Sequence, residues 1–244
     1  MAKIDLKTTT GFSIIYENDE LVFKNSGCKR KKIVTIEDIR EQLLNKELDC
    51  PEIFYQKYFE VDTDSVLSSK KVKLHIYTMN SNLAGIEFVK TKVTRCKKYP
   101  RIIEILNGTA IVLIQQYKSP KENRVIKIVA KKGQKIIIPS NYDFVAVNPR
   151  QNTPLIFAEI MSIKAISRVV LDDNSGMAYY VIRKNAKQEV VRNPNYKIVN
   201  EVEKVDMEKV IKDYGITPKT TVIKQLIRKY EKFKWLFKEN SVTY

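Results

Sequence analysis

A long series of short β-type runs, separated by turn-forming residues, is the feature that most restricts how this chain can fold. The runs follow one another from Glu52 to Phe157, with turn formers such as Asn107-Gly108 and Lys132-Gly133 between them. Many short strands at regular spacing are typical of a β-sandwich or barrel. Val169 to Ile182 extends the series by one more predicted hairpin, whose turn is Asp172-Asp173-Asn174-Ser175-Gly176.

Helical patterns are confined to the two ends of the chain. Thr35 and Asp38 have capping-box spacing, which predicts a short helix near the N-terminus. Near the C-terminus, apolar residues at helical spacing end at Gly215, and Thr217-Pro218 predicts the start of a second helix. The apolar stripe of that second helix consists of Val222, Ile223, Leu226, Ile227, Tyr230, Phe233 and Phe237.

These patterns together predict a mainly β protein with two parts. Residues 1–204 are expected to form a β-barrel domain that includes a short N-terminal α/β region. Residues 205–244 are expected to form a basic extension of two helices. An extension of about 40 residues cannot bury its own apolar stripe, so we expect that stripe to contact another copy of the chain.

The formal net charge of +16 predicts a polyanionic partner. It arises from 44 basic against 28 acidic residues, and a chain this basic attracts nucleic acid at long range. A lysine-rich solvated surface, anionic lipid and small phosphates are the alternatives. No apolar segment is long enough to span a membrane, and the N-terminus is charged where a signal peptide is apolar. Three widely spaced cysteines fit reduced thiols, so a cytoplasmic location is predicted.

The candidate phosphate contacts are the clustered lysines and arginines. They fall in a run after the first hairpin, in a run without acidic residues from 90 to 101, and in the C-terminal helix. The predicted nucleic-acid-binding residues are Lys29, Arg30, Lys31, Lys32, Lys90, Lys92, Arg95, Lys97, Lys98, Arg101, Lys224, Arg228, Lys229, Lys232 and Lys234. The 90–101 run has an alternative explanation, since lysines also protect an edge strand from aggregation.

Residues 133–148 carry the most specific motif of the chain. Gly133, Pro139 and Asn148 match the spacing G-x5-P-x-G-x2-H-x3-N, with Phe144 at the histidine position. His75 is the single histidine of the chain, and it alternates with apolar neighbours, which predicts a solvent-facing side chain. A phenyl ring cannot donate a lone pair to a metal.

Over residues 1–200 the chain resembles the archaeal cupin-type phosphoglucose isomerases. The resemblance rests on the 133–148 motif, on Thr91-Lys92 in the first cupin motif, and on Asn193-Pro194 near the end of the barrel. It implies a cupin fold, a double-stranded β-helix or jelly-roll barrel, and a homodimer formed through the barrels. It also implies that the four metal-ligand positions of the family are replaced here by Thr94, Cys96, Arg101 and Phe144.

Because none of these four positions holds the family's ligand, the sequence predicts a degenerate member without metal, cofactor or catalytic residues, hence not an enzyme. The leading hypothesis is a regulatory protein that binds RNA or the ribosome, since no base-reading helix is recognisable. A DNA-binding regulator using the C-terminal helices is one alternative. A sugar-phosphate sensor without isomerase activity, holding phosphate with Thr91, Lys92 and Arg101, is another.

Overall fold

Two six-stranded sheets face each other and enclose the main hydrophobic core, in a computed structural model that describes residues 3–119, 122–170 and 176–244. The strands are β1 (Ile4–Asp5), β2 (Ile14–Glu17), β3 (Glu20–Phe23), β4 (Arg30–Thr35), β5 (Ile53–Phe59), β6 (Val72–Met79), β7 (Leu83–Ala84), β8 (Glu87–Phe88), β9 (Thr94–Cys96), β10 (Arg101–Asn107), β11 (Thr109–Ser119), β12 (Glu122–Lys131), β13 (Lys135–Ile138), β14 (Asp143–Val147), β15 (Leu155–Ser162), β16 (Ser167–Val169), β17 (Tyr179–Lys184), β18 (Lys187–Arg192) and β19 (Val202–Glu203). The helices are α1 (Lys7–Thr10), α2 (Ile36–Ile39), α3 (Val66–Ser69), α4 (Met207–Asp213) and α5 (Val222–Arg228), with 3-10 helices at Arg40–Gln42 and Tyr230–Phe237.

The first large sheet has the strand order β13-β10-β15-β6-β5-β4, and the second has the order β16-β9-β14-β11-β12-β19. Pairing within them is antiparallel except between β12 and β19. Smaller sheets, β1-β2-β3 and β18-β17-β8-β7, flank the pair. The predicted mainly β cupin barrel is confirmed. No helix among the described residues has the length and apolar character needed to cross a membrane.

The 133–148 motif supplies two residues with left-handed backbone conformation and one buried asparagine that joins two loops. Gly133, at φ 85°, and Asn141, at φ 62°, both occupy the left-handed region, so asparagine fills the motif's second glycine position. Asn148 is fully buried, and its amide donates to the carbonyls of Met79, Asn80 and Thr153. These bonds tie the loop after β14 to the loop after β6.

Strands β10 and β15 are buried on both faces. Arg101 and Ile103 of β10 face the barrel interior, while Glu104, on the opposite face, accepts a hydrogen bond from the backbone N–H of Val222. The C-terminal segment therefore covers the outside of the first sheet. A strand buried on one face alternates apolar and polar residues. Because β15 is buried on both faces, its segment lacks that alternation.

The C-terminal segment shares the core of the barrel and has none of its own. Four of the seven residues of the predicted stripe, Val222, Ile223, Leu226 and Phe233, are buried within the main cluster, so the chain itself covers most of that stripe. The expectation that a second copy must cover it is wrong. The second helix also begins later than predicted, because Thr221 caps it, and it ends at Arg228.

Other local predictions are partly confirmed. Thr35 and Asp38 form the predicted capping box of α2, and Gly215 ends the α4 segment with a φ of 75°. The predicted hairpin from Val169 to Ile182 is wrong, because β16 pairs with β9 and β17 pairs with β18. Residues 172–175 of its predicted turn lie outside the described residues.

Candidate functional site

The barrel interior brings Thr94, Cys96, Arg101 and Phe144 together at one end. Arg101 is completely buried, and its Nη1 atom donates to Thr94 Oγ1 at 2.9 Å and to Ser167 Oγ at 3.2 Å. The guanidinium lies over the Phe144 ring, with 4.8 Å between Cζ and the ring centroid. The Arg101 Nε atom is buried without a hydrogen-bond partner among the described residues.

Glu159 is the partner that neutralises this arginine. Its Oε1 atom is 2.9 Å from Arg101 Nη1, and its Oε2 atom accepts from Tyr77 at 2.7 Å and lies 3.4 Å from Lys57 Nζ. Burial alone would raise the pKa of Glu159, but Lys57 and Arg101 outweigh it and hold that pKa well below its ordinary value. Glu159 is therefore a permanent anion and a poor proton acceptor.

His75 lies on the same face of the neighbouring strand, directly opposite Glu159. It is 6% exposed, so the predicted solvent-facing orientation is wrong. Burial and, to a smaller degree, the nearby Lys57 lower the pKa of His75 to about 4, and the opposing effect of Glu159 does not offset them. The neutral ring accepts a hydrogen bond at Nδ1 from the backbone N–H of Glu60. The alternation rule failed because β6 is covered on both faces.

A divalent cation does not fit these residues. A guanidinium occupies the centre of the cluster and repels a cation. The neighbouring donors are two hydroxyls, of Thr94 and Ser167, the Glu159 carboxylate, which Arg101 already binds, and the Cys96 thiol, whose pKa is raised by burial. Among residues 3–119, 122–170 and 176–244, no group of three histidine, cysteine, aspartate or glutamate side chains is placed to hold a metal. What this interior can do chemically is hold the Glu159 carboxylate in fixed ion pairs with Arg101 and Lys57 inside an apolar barrel.

A groove of about 190 Å³ lies near this end of the barrel, and it carries unbalanced positive charge. We call it the rim groove and define it by the residues Lys97, Lys98, Tyr99, Lys164, Ile166 and Arg168. Lys98 Nζ lies 3.3 Å from the carboxylate of Glu239, to which the Tyr99 hydroxyl also donates. Within the described residues, Lys97, Lys164 and Arg168 have no acidic partner within 4.0 Å.

The structure places the predicted cations of the 90–101 run in different environments. Lys97 and Lys98 line the rim groove. Arg101 is buried as described above, and Lys90 is buried in an ion pair with Glu87, so neither can reach a phosphate. Both were predicted as nucleic-acid contacts, and their burial gives that prediction no support.

Arg95 and Lys92 are bound by carboxylates. Arg95 makes a two-pronged ion pair with Asp143, at 2.7 Å and 2.8 Å. Lys92 Nζ lies 2.9 Å from Asp38. Thr91 is also buried, and its hydroxyl accepts from the backbone N–H of Ala146. The phosphate grip expected of Thr91, Lys92 and Arg101 is therefore not formed.

The N-terminal cluster is largely neutralised by local partners. Lys29 faces Glu60 at 3.5 Å, Lys31 faces Glu20, and Lys32 faces Asp38 at 3.2 Å. Arg30 instead lies over the Phe59 ring, with 4.2 Å between Cζ and the ring centroid. This cluster remains a predicted contact surface, but most of its charge is already balanced.

The C-terminal cations remain more open. Lys224, Arg228, Lys229 and Lys232 are exposed, and none has an acidic partner within 4.0 Å among the described residues. Lys234 pairs with Glu231. Because α5 is only seven residues long and its apolar side is built into the core, it does not present a free two-helix unit to a DNA groove.

Sequence reasoning missed Lys164 and Arg168 of the rim groove, and Lys57 and Tyr77 of the interior. Lys164 follows β15, and Arg168 on β16 lies directly opposite Arg95 on β9. That pairing depends on which strands are neighbours, which local patterns do not reveal. The signal available was charge: Lys164 and Arg168 are two cations within five residues that contain no acidic side chain.

Comparison with known proteins identifies a family. The model for glucose-6-phosphate isomerase (GPI) matches residues 29–199. A search of curated proteins finds no match. Since the matching family is an enzyme family, the prediction that the chain is not an enzyme is wrong.

Several solved structures share parts of the fold at low similarity. Oxalate decarboxylase from Bacillus subtilis at pH 4.6 is 15% identical with a TM-score of 0.37, over 48% of this chain and 28% of that chain. An 11S globulin from Wrightia tinctoria is 14% identical with a TM-score of 0.37, over 48% and 27%. A recombinant oxalate oxidase in complex with glycolate is 9% identical with a TM-score of 0.35, over 59% and 55%. The chain thus spans between about a quarter and just over half of these proteins.

Proposed function

The chain belongs to the glucose-6-phosphate isomerase family, and from that premise we propose that it binds a nucleic acid, RNA in preference to DNA, through the rim groove. The observation that carries the proposal is the convergence of Lys97, Lys164 and Arg168 beside the aromatic ring of Tyr99. None of these three cations has an acidic partner in the part of the chain that the structure describes. Positive charge follows the phosphate backbone, and an aromatic face can stack on a base. The net charge of +16 strengthens the attraction at long range.

RNA is preferred because the cations lie on loops and short strands around a groove. Such a surface suits single strands, whose bases are free to turn toward the protein. A DNA reader would need an exposed helix or ribbon that enters the major groove. Here α5 is short and packed on the barrel, so the structure gives the DNA alternative less support.

The second part of the proposal concerns the barrel interior. We propose that the metal ligands of the archaeal cupin-type members are replaced here by Thr94, Cys96, Arg101 and Phe144. We also propose that the Arg101–Glu159 ion pair occupies the position that the metal ion has in those members. A guanidinium and a carboxylate at 2.9 Å balance each other inside the apolar barrel. A cytoplasmic location and a homodimer belong to the same proposal, supported by three unpaired cysteines and by the family resemblance respectively.

The family match favours one second candidate, a phosphorylated sugar in the rim groove. A groove of about 190 Å³ is small for a drug-sized ligand and suits a compact one. The phosphate would contact the cations of the groove, and the sugar ring would lie against Tyr99 or Ile166. This candidate uses the groove in place of the buried cleft that the sequence had suggested.

Competition binding tests the two candidates together. Fluorescein-labelled single-stranded RNA is titrated with the protein at about 150 mM salt, and binding is followed by anisotropy. We expect saturable binding that unlabelled RNA displaces better than DNA of the same sequence. Displacement by millimolar glucose 6-phosphate, but not by glucose, would favour the sugar phosphate.

A matched pair of variants locates the site. Removing four rim cations (Lys97→Ala, Lys98→Ala, Lys164→Ala, Arg168→Ala) should weaken RNA binding at least about tenfold. Removing four exposed lysines elsewhere (Lys7→Ala, Lys24→Ala, Lys184→Ala, Lys187→Ala) changes the net charge equally and should have a smaller effect. Equal losses would mean that total charge, rather than the groove, controls binding.

A further inference from the structure

Strand β12 has an incomplete edge. On one side it pairs with β11 over its whole length, but on the other side β19 covers only Val125 and Ile126. Beyond that point, Lys127–Lys131 has no strand partner on the outer side within the described part of the chain. Within the described residues, the segment Lys127–Lys131 is therefore an unpaired edge of the second large sheet.

The backbone of this segment points hydrogen-bonding groups outward. Lys132 donates to the Gly108 carbonyl of the neighbouring strand end, and antiparallel pairing alternates inward and outward groups along a strand. By this alternation the amides of Lys127 and Val129 face the open side, as Val125 does where it meets Val202. The amide of Lys131 is already bound by the Gln134 side chain at 2.7 Å.

An apolar groove runs along this edge. It has a volume of about 700 Å³ and lies between β12 and the chain from Val202 to Glu208. Val129, which is 54% exposed, lies on one wall, and Val190, Val205 and Met207 supply further apolar lining. The polar part of the lining comes from Lys127, Gln134, Lys204, Asp206 and Glu208. A strand placed here would hydrogen-bond to the edge and bury these side chains.

Charge decides which kind of strand fits. The groove itself is lined by two lysines, Lys127 and Lys204, and two acids, Asp206 and Glu208. Lys132 and Lys219 line an adjoining pocket that shares Val129 and Met207 with the groove, and Lys131 follows Val129 on the same face of β12, so lysines outnumber acids around the edge. A second copy that paired antiparallel about Val129 would place Lys127 opposite Lys131 at both ends, and facing like charges destabilise a sheet. An acidic strand would meet opposite charges at the same positions.

We propose that the open edge of β12 is a docking site for an extended acidic segment of a partner protein, which adds to the sheet as a short strand. The segment has acidic residues alternating with β-branched apolar ones, so that it pairs with Lys127–Lys131 and covers Val129. This mode of recognition takes its affinity from main-chain hydrogen bonds and its specificity from the alternate side chains. It is independent of the rim groove.

A synthetic probe tests the proposal. A fluorescein-labelled peptide that alternates glutamate and valine should bind with saturation, and one that alternates lysine and valine should not. Val129→Pro removes the outward amide and should weaken binding about tenfold, whereas Val129→Thr keeps it and should bind nearly as the parent does. Lys127→Glu with Lys131→Glu should reverse the preference between the two peptides.

Controls keep each outcome decisive. If Val129→Pro fails to fold, the glutamate–valine peptide methylated on alternate backbone nitrogens tests the same hydrogen bonds, and one of its two methylation registers should lose binding. No saturable binding up to about 1 mM peptide would overturn the proposal, as would equal binding of both peptides. A concentration-dependent dimer that Val129→Pro abolishes would also overturn it, because the occupant would be a second copy.

Discussion

Arg101 and Glu159 are diagonal neighbours on adjacent antiparallel strands, both fully buried and joined by a 2.9 Å ion pair. Glu159 lies directly opposite Ile103, two residues along β10 from Arg101. The long arginine side chain reaches back across that offset and continues to Thr94 on the facing sheet. One arginine thus links both walls of the barrel at the end where the rim groove lies.

This linkage predicts a strong effect of breaking the pair. Arg101→Met leaves the buried Glu159 with Lys57 as its ion-pair partner among the described residues, and should lower the free energy of unfolding by about 3–5 kcal/mol. The double variant Arg101→Met, Glu159→Gln should be more stable than the sum of the single changes predicts, by at least about 1 kcal/mol. Urea unfolding of the four proteins measures this coupling. Additive losses would show that the two residues do not act as a pair.

Metal content is the second prediction. Since a guanidinium occupies the centre of the cluster, purified protein should contain no stoichiometric iron, manganese or zinc. Elemental analysis after purification without chelators checks this, and thermal melting with and without added metal gives a second readout. About one metal ion per chain, or a raised melting temperature with manganese, would contradict the interpretation of the barrel interior.

His75 predicts a specific pH dependence of stability. Its pKa of about 4 lies below the value near 6.5 of an unfolded histidine, so the unfolded chain binds the proton more readily. The contribution of His75 to the free energy of unfolding is fully present above about pH 6.5. It falls by about 3 kcal/mol as the pH falls toward 4. His75→Asn keeps an acceptor for the Glu60 amide and should remove this loss. The difference in unfolding free energy between parent and variant, measured from pH 7 to 4, isolates it.

Glu104 should give stability a pH dependence opposite to that of His75. Burial raises its pKa to about 7, against the opposing effects of Lys135 and the Val222 amide. The folded chain then binds the extra proton between about pH 4.5 and 7, so this residue costs stability as pH rises through that range. Glu104→Gln should therefore gain on the parent with rising pH. A difference between the two proteins that does not vary with pH would contradict the assignment.

The turns and helix caps of this fold could be predicted from the sequence more completely than its buried ion pairs. The turn at Gly133 and the capping box at Thr35 depend on residues close in sequence, so their patterns were sufficient. Asn148 was part of the motif, but two of its three bonds reach Met79 and Asn80, which are distant in sequence. The partner of Arg101 lies 58 positions away and is set by strand order, which no local pattern contains. The prediction that His75 faces solvent failed for a related reason. Alternation of polar and apolar residues indicates a solvent-facing side chain only when one face of the strand is exposed, and β6 is covered on both faces.

The C-terminal stripe provides the fifth prediction. Leu226 is fully buried against the barrel, while Ile227 beside it is 40% exposed. Leu226→Ala should cost about 2–5 kcal/mol, and Ile227→Ala should cost much less. The homodimer stays a prediction, but it no longer depends on this stripe, so light scattering should give the same mass for both variants and the parent. A mass change caused by Leu226→Ala would restore the stripe as a contact between copies.

The salt dependence of RNA binding tests the central claim most directly. Each phosphate contact to a single strand contributes about 0.7 to the slope of log affinity against log salt concentration. Removing Lys97, Lys98, Lys164 and Arg168 together should therefore flatten the slope by about three, and similarly for unrelated RNA sequences. The tail variant Arg228→Ala, Lys229→Ala, Lys232→Ala should flatten it less. An unchanged slope in the rim variant would contradict the account, because the groove would then make no contact with phosphate.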